Sequence, residues 1–457
     1  MWRTPYIVGF AVLVVLYGVR WVTKYLEERR FKKEHGCQPC PRLPQSERIM
    51  GLGLLMSQRD AAKKNILLQT SLSRFQTIGH TWSASIFGKE FINTIDPENI
   101  KTILATNFDD WGLGKRIETF GPLLGEGIFT TDGKQWEHSR FLFGESVNSL
   151  LSSGDTESET DKFGRAFDFA QKEMDQKNRR LKRLAWITGE AEFDKACKTV
   201  HAFVDKIVQK ALREVAADEE KSTDSKEHVG KYIFSHELVK ATRDPKRIRD
   251  ELLNILLAGR DTTAGLLSST FHVLARRPDI WAKLRAEVDE LHGEKPDYDT
   301  LRNMRYLKLV LNECLRLYPV VPGNARFAVR PTVIPRGGGP DGLSPIYIPK
   351  DGIVTYNVFS MHRRKDIYGP DADEFKPERW EATDPPLRPG WGYLPFNGGP
   401  RICVGQQFAL TEASYTIVRL MQEFESIENR DPTGWVEQIA LTLSCGNGVK
   451  VAMKPRS

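Results

Sequence analysis

Cysteine is scarce in this chain. Cys37, Cys40, Cys197, Cys314, Cys403 and Cys445 are scattered over 457 positions. So few and so dispersed, they argue against a disulfide framework and for a reducing compartment. A strong charge of one sign is also missing. The net charge is +6, and the basic residues are interleaved with acidic ones. That balance suits a membrane surface or an acidic protein partner and falls short of a nucleic-acid partner. The Gly-rich turn 337–342 lacks a following helix with Lys-Ser/Thr, so phosphate binding is not supported there, and no dinucleotide or flavin fingerprint occurs. Length and a 40% hydrophobic fraction allow one large domain or two to three average ones.

Long apolar runs are absent except at the N-terminus. Residues 6–19 read YIVGFAVLVVLYGV, flanked by Trp2 and Trp21. With Arg20 snorkelling, residues 6–22 reach the ~17-residue lower limit for a bilayer span. No small-residue cleavage site follows, which disfavours a removed signal peptide. Arg20, Lys24, Arg29, Arg30, Lys32 and Lys33 follow the run, against Arg3 before it. The positive-inside rule then predicts an anchor over residues 1–23, single-pass, with the remainder in the cytosol. Residues 24–46, with Cys37-Gln38-Pro39-Cys40-Pro41, read as a stiff extended linker, and residues 47–457 as the catalytic body.

The most informative stretch is Phe396-Asn397-Gly398-Gly399-Pro400-Arg401-Ile402-Cys403-Val404-Gly405. A cysteine sits in a glycine-rich loop before an apolar helical run, 408–424. A helix N-terminus favours an anion, which predicts thiolate character and metal affinity for Cys403. Gly399 and Gly405 leave room for a flat ligand. Arg401 can reach an acidic group on it.

The spacing Phe-x-x-Gly-x-Arg-x-Cys-x-Gly resembles the haem-binding loop of the cytochrome P-450 monooxygenases. The resemblance implies a mainly α fold, with a large helical domain and a small β-region behind an N-terminal transmembrane helix. It implies haem b as cofactor, Cys403 as axial iron ligand, and Phe396, Arg401 and Gly405 as part of the cofactor cradle. Trp136 and Arg140, at i and i+4 of one helix, match the pair that meets a haem propionate; Arg326 resembles a further such contact. Ala258-Gly259-Arg260-Asp261-Thr262-Thr263 lies inside a helix predicted from Asp244-Pro245 to Arg277 and resembles the oxygen-activating groove, with Asp261 and Thr262 catalytic. A threonine bonded back to the preceding turn is the plain alternative. Glu313, Arg316 and Arg379 match a buried structural triad. The electron donor implied is a separate, membrane-bound NADPH–cytochrome P-450 reductase. Other partners are membrane lipid and a small hydrophobic substrate.

The segments FGESVNSL, GKQWEHSR and AGRDTTAG resemble, more narrowly, the fungal branch that hydroxylates the terminal carbon of n-alkanes and fatty acids. That implies the endoplasmic reticulum membrane as location. The chain departs from the family after Arg140. The run 141–146 is joined there directly, where two further helices are expected, on the order of forty residues. A haem-binding but impaired form, or one doing other haem-thiolate chemistry, therefore stays open.

Four further expectations follow from the sequence. Trp111, Phe120, Leu123 and Leu124 lie on an irregular stretch, 107–127, as a substrate gate or folded onto the core. Residues 160–182 and 189–217 form two amphipathic helices roofing a cavity, and 218–230 a solvated loop. The tail 439–451 forms a hairpin turned at Gly446-Asn447-Gly448, with Leu443 and Ser444 near its tip. Residues 81–95 carry two short strands ahead of a helix starting at Asp96-Pro97.

Overall fold

The computed structural model describes residues 4–47, 50–144, 157–179, 190–221, 234–381 and 386–456. Helix dominates, and the largest sheet has five short strands.

Pro245–Leu274 is the central helix, 30 residues long, or about 45 Å at 1.5 Å per residue. Asp244 caps it as the sequence predicts, its carboxylate accepting from the Lys246 and Arg247 N–H groups at 3.0 and 3.4 Å. Pro245 takes the first helical position, where no N–H is needed. The helix ends at Leu274, three residues short of the expected Arg277, because Arg277-Pro278 already starts the next helix, Pro278–Asp289.

Two apolar cores flank this helix. One side meets Glu157–Arg179, Glu190–Lys221 and Phe234–Ala241 through Phe167, Met174, Phe193, Val204 and Leu238. The other side meets Pro278–Asp289, Arg305–Leu317 and Gln406–Glu423 through Leu266, Trp281, Leu311 and Ile417. Both expected amphipathic helices form, but the second continues through the supposed loop start at Asp218. Residues 222–233 and Lys182 lie outside the described residues.

The five-stranded sheet runs Thr81–Ile86, Lys89–Thr94, Ile353–Asn357, Gly323–Ala328, Trp111–Gly112. The first two strands pair antiparallel, from Thr81↔Thr94 to Ile86↔Lys89. Phe87 and Gly88 both take positive φ at their turn, the conformation a tight two-residue hairpin demands.

Of the two readings of 107–127, the core-folded one holds, and the tail departs from its expectation. Arg116–Leu124 is helical, and Trp111, Leu123 and Leu124 are buried. Their apolar side chains gain more from the core than a mobile gate allows. The tail does not fold on the 446–448 turn. Glu437–Ile439 pairs with Leu443–Cys445, and Val451–Pro455 pairs with the distant Phe424–Asn429. Leu443 is buried, its N–H donating to the Val320 carbonyl.

The N-terminal helix is Thr4–Glu34, so it runs through the expected boundary at residue 23. Gly36 ends it at φ 63°, with Cys37 N–H bonded back to the Lys32 carbonyl, a Schellman-type close. The proline-rich stretch is strapped down rather than free. Gln38 N–H donates to Pro345 O, and Ser83 N–H to Pro41 O, both at 2.8 Å. Edge backbone groups of the sheets supply these partners. Among the described residues no helix is long and apolar enough to cross a membrane.

Candidate active site

The loop before helix Gln406–Glu423 is held by its own backbone. Cys403 N–H donates to Phe396 O at 2.9 Å, and Ile402 N–H to Gly399 O at 3.0 Å. Asn397, at φ 64°, ties both ends: its Nδ2 donates to Arg401 O, and its Oδ1 accepts from the Tyr356 hydroxyl. The two glycines serve different ends. A Cβ on Gly399 meets the Leu104 carbonyl oxygen at 1.9 Å, so that glycine admits the protein's own backbone, not a ligand. A Cβ on Gly405 meets only the Cys403 sulfur, at 3.9 Å, so space stays open beside it.

Cys403 is accessible to solvent. Burial of its surroundings nevertheless pushes the thiol pKa up, and a bond from Gly405 N–H acts in the opposite direction. Burial thus works against the anion-favouring helix terminus at this sulfur. The helix cap is Gly405, two residues further on, within the one-turn reach of the terminal dipole. A metal ion, were one bound at the sulfur, would remove the proton outright.

Cations gather near this loop with few acids. Arg401 stacks its guanidinium on the Trp136 ring at 4.3 Å and donates to the Asp132 carboxylate and the Thr131 carbonyl. Trp136 is buried on the helix Gly133–Gly144. Arg326 is buried and donates to Asn324 Oδ1 and Ala325 O. Arg116, which the sequence reading passed over, donates to the same Asn324 oxygen at 2.8 Å. Burial, reinforced by Arg326, pushes Arg116 down to about 10; burial also lowers Arg401 to about 10. Arg116 was missed because its segment reads as irregular loop. Arg140 lies on the same helix as Trp136, but its side chain is outside the described residues.

On the central helix, Thr262 Oγ donates to the Ala258 carbonyl at 2.6 Å. The back-bonded conformation is thus present, and the oxygen lone pairs face away from that bond. Thr263 is buried, and its hydroxyl has no partner among the described residues. Asp261 is partly buried. Desolvation pushes its carboxyl up, opposed by Arg260 and a bond from Gln171 on the helix Glu157–Arg179. Arg260 in turn donates to Asp168 on that same helix at 2.8 Å.

Glu313, Arg316 and Arg379 come together as the sequence suggests. Glu313 Oε1 accepts from Arg316 Nη2 and Arg379 Nε, and Oε2 from Arg316 Nε, each at 2.8 Å. Lys376 N–H and Trp380 Nε1–H donate to the same carboxylate at 2.9 Å. All three charged residues are buried.

The cytochrome P450 family model matches residues 139–442, well over half of the chain. The chain belongs to the cytochrome P450 family. It is accordingly an oxidoreductase, a monooxygenase whose cofactor is haem. It is 41% identical to the cytochrome P450 monooxygenase himC of Aspergillus japonicus, over 98% of this chain and 89% of the relative. It is 43% identical to cytochrome P450 52A5 of Candida maltosa over 88% of each, and 39% identical to cytochrome P450 52A13 of Debaryomyces hansenii over 98% and 97%. The himC alignment runs over 502 positions, so against 457 residues at least 45 positions have no counterpart in this P450. Residues 145–156, next to the sequence departure after Arg140, lie outside the described residues.

The residues present fit haem. An accessible sulfur, open space at Gly405 and a cation-rich cluster match an iron, a flat ring and acidic ring substituents.

Proposed function

We propose that this P450 inserts one oxygen atom of O2 into the terminal C–H bond of an n-alkane or fatty acid, with NADPH consumed and water released. Support for the substrate lies in the segments FGESVNSL, GKQWEHSR and AGRDTTAG. The observation that carries the chemistry is Cys403, presented accessibly beside Gly405 and a cluster of three arginines.

Haem, when bound, supplies oxygen activation. The chain's own residues divide the remaining work. Cys403 Sγ would hold the iron, on a loop braced by Phe396, whose carbonyl accepts from the Cys403 N–H. Trp136, Arg140, Arg326 and Arg401 would hold the propionates, and Arg116, which meets Arg326 at Asn324, would join them. Desolvation raises the Asp261 carboxyl, against the Arg260 charge and the Gln171 bond, which eases its relay of protons toward Thr262 Oγ. Phe163 and Phe203 on the two amphipathic helices and Leu256 on the central helix, all partly buried, help exclude water.

Electrons come from a separate NADPH–cytochrome P-450 reductase. The N-terminal helix attaches the protein to the endoplasmic reticulum membrane, body in the cytosol. Val12, Leu13, Leu16, Val19 and Val22 are all exposed on it, a surface that water disfavours.

Incubation of the full chain with reductase, NADPH and either dodecane or lauric acid tests the substrate. Terminal alcohols are expected. Turnover restricted to steroids or aromatics rejects the terminal-hydroxylase assignment. Haem binding without turnover of any of these favours the impaired form that the missing positions allow.

A further inference from the structure

One buried titratable side chain outside the site links the triad to the cysteine loop. His362 follows the short helix Val358–Met361 and has no exposed surface. Leu394 N–H donates to His362 Nε2 at 2.9 Å, and His362 Nδ1 lies 3.1 Å from the Arg316 carbonyl oxygen. A ring nitrogen that accepts an N–H carries no hydrogen itself, so Nδ1 bears it and donates to Arg316. Both ring nitrogens are thereby committed and the tautomer is fixed.

Each end of this bridge is rigid. Arg316 Nη1 donates back to the His362 carbonyl at 2.8 Å, so the two residues hold each other twice. The rings of Tyr368 and Tyr393 flank the imidazole at 6.4 and 5.2 Å. Tyr393 donates to Asn312 O, and Tyr368 to Gly392 O, which fixes the residues just before Leu394. Two residues on, Phe396 O holds the Cys403 N–H. Burial pushes His362 down to about 3; the Arg316 carbonyl bond opposes this, and the Arg316 and Arg363 charges add to it, so the ring is neutral at physiological pH.

We propose that His362 is a positioning residue for the Cys403 sulfur. Its Nδ1–H and Nε2 transmit the placement of the buried Glu313–Arg316 pair to the loop through Leu394. This rests on Cys403 as the haem ligand. The physical cause is simple. A buried Leu394 N–H that loses its acceptor must move to find another, and the loop carrying Cys403 moves with it.

Three substitutions separate positioning from packing. His362→Gln keeps an acceptor where Nε2 stands, His362→Asn keeps a polar group only near Nδ1, and His362→Phe keeps ring volume alone. The readout is the reduced, CO-bound spectrum of the haem-loaded full chain, as the ratio of thiolate-type to neutral-thiol-type Soret band, alongside melting temperature. H362Q is expected to keep most of the thiolate-type band, and H362N and H362F to lose most of it. Equal ratios in all three variants and the parent overturn the proposal while leaving the ligand assignment standing. A parent protein with no thiolate-type band sinks the ligand assignment instead. Should the variants not fold, hydrogen exchange on the parent decides. Leu394 N–H is expected to exchange as slowly as the core of helix 406–423, and rapid exchange overturns the bridge.

Discussion

Two clusters of buried charge stand within the same body, and they are built on opposite plans. Around Glu313 every charge is answered. The carboxylate takes donors from Arg316, Arg379, Trp380 and the Lys376 backbone. Arg316 spends its remaining hydrogens on the carbonyls of His362, Ala372 and Glu374. Around Asn324 the charges are left in excess. Arg116 and Arg326 share one amide oxygen, while the Asp132 carboxylate pairs with Arg401. Desolvating a charge costs several kcal/mol, by order of magnitude, unless a counter-charge compensates. The first cluster carries its own compensation and is architecture. The second lacks such compensation, and in the proposed function two haem propionates would supply it.

The largest expected effect breaks the closed cluster. Glu313→Gln leaves Arg316 and Arg379 buried without their carboxylate, a loss of about 3–5 kcal/mol. The protein is expected to lose its cooperative thermal transition with or without haem. A melting curve like the parent's contradicts the closed-network account. The open cluster should answer in the reverse sense. Arg116→Met or Arg326→Met removes a cation whose neighbours are cations, so the haem-free melting temperature is expected to hold or rise. Haem affinity is expected to fall about 10–100-fold, since a bond to a charged group is worth roughly 1.5–3 kcal/mol. Equilibrium haem titration measures it. A fall in haem-free stability with unchanged affinity reverses the assignment of the two clusters.

A third kind of buried charge sharpens the contrast. Glu251 on the central helix has no exposed surface and accepts from Ser139 Oγ at 2.6 Å; its Oε2 is without a partner among the described residues. Burial raises its carboxyl to about 7, opposed by the Ser139 bond. This group is handled by neutralisation, not pairing. A folded-state pKa above the ordinary carboxylate value favours the fold below about 4.5 and loses that contribution as pH rises through about 7. Glu251→Gln is therefore expected to flatten the decline in melting temperature between those values and to raise it at pH 8. A slope unchanged in the variant assigns the decline to other groups. The smallest effect concerns the stack of Arg401 on Trp136. Arg401→Lys keeps the charge and loses the planar overlap, about 0.5–2 kcal/mol. A severalfold faster haem loss is expected, with parent-like folding; no change in haem loss removes the stack from the cradle.

What the sequence made legible was what local chemistry dictates. Asp244-Pro245 marks a helix start with its own cap, and Glu313 and Arg316 lie one turn apart on a face that had to be buried. Phe396 to Gly405 compress a whole loop into ten residues. What stayed illegible depends on contacts between distant segments. Gly399 is needed because Leu104 approaches it. Arg116 counts because Asn324, over two hundred residues later, meets it. His362 reads as an ordinary core histidine until Leu394 and Arg316 close on its two nitrogens. The tail hairpin went astray for the same reason, since Val451–Pro455 pairs with a strand more than twenty residues back and not with its neighbour.

The central claim is that Cys403 is presented to ligate haem iron as a thiolate. The reduced, CO-bound spectrum of the full haem-loaded chain tests it most directly, with Cys403→Ala beside it. A thiolate-type Soret band in the parent, absent in the variant, is the result predicted. A band of the neutral-thiol or histidine type in the parent, or a thiolate-type band that survives in Cys403→Ala, contradicts it.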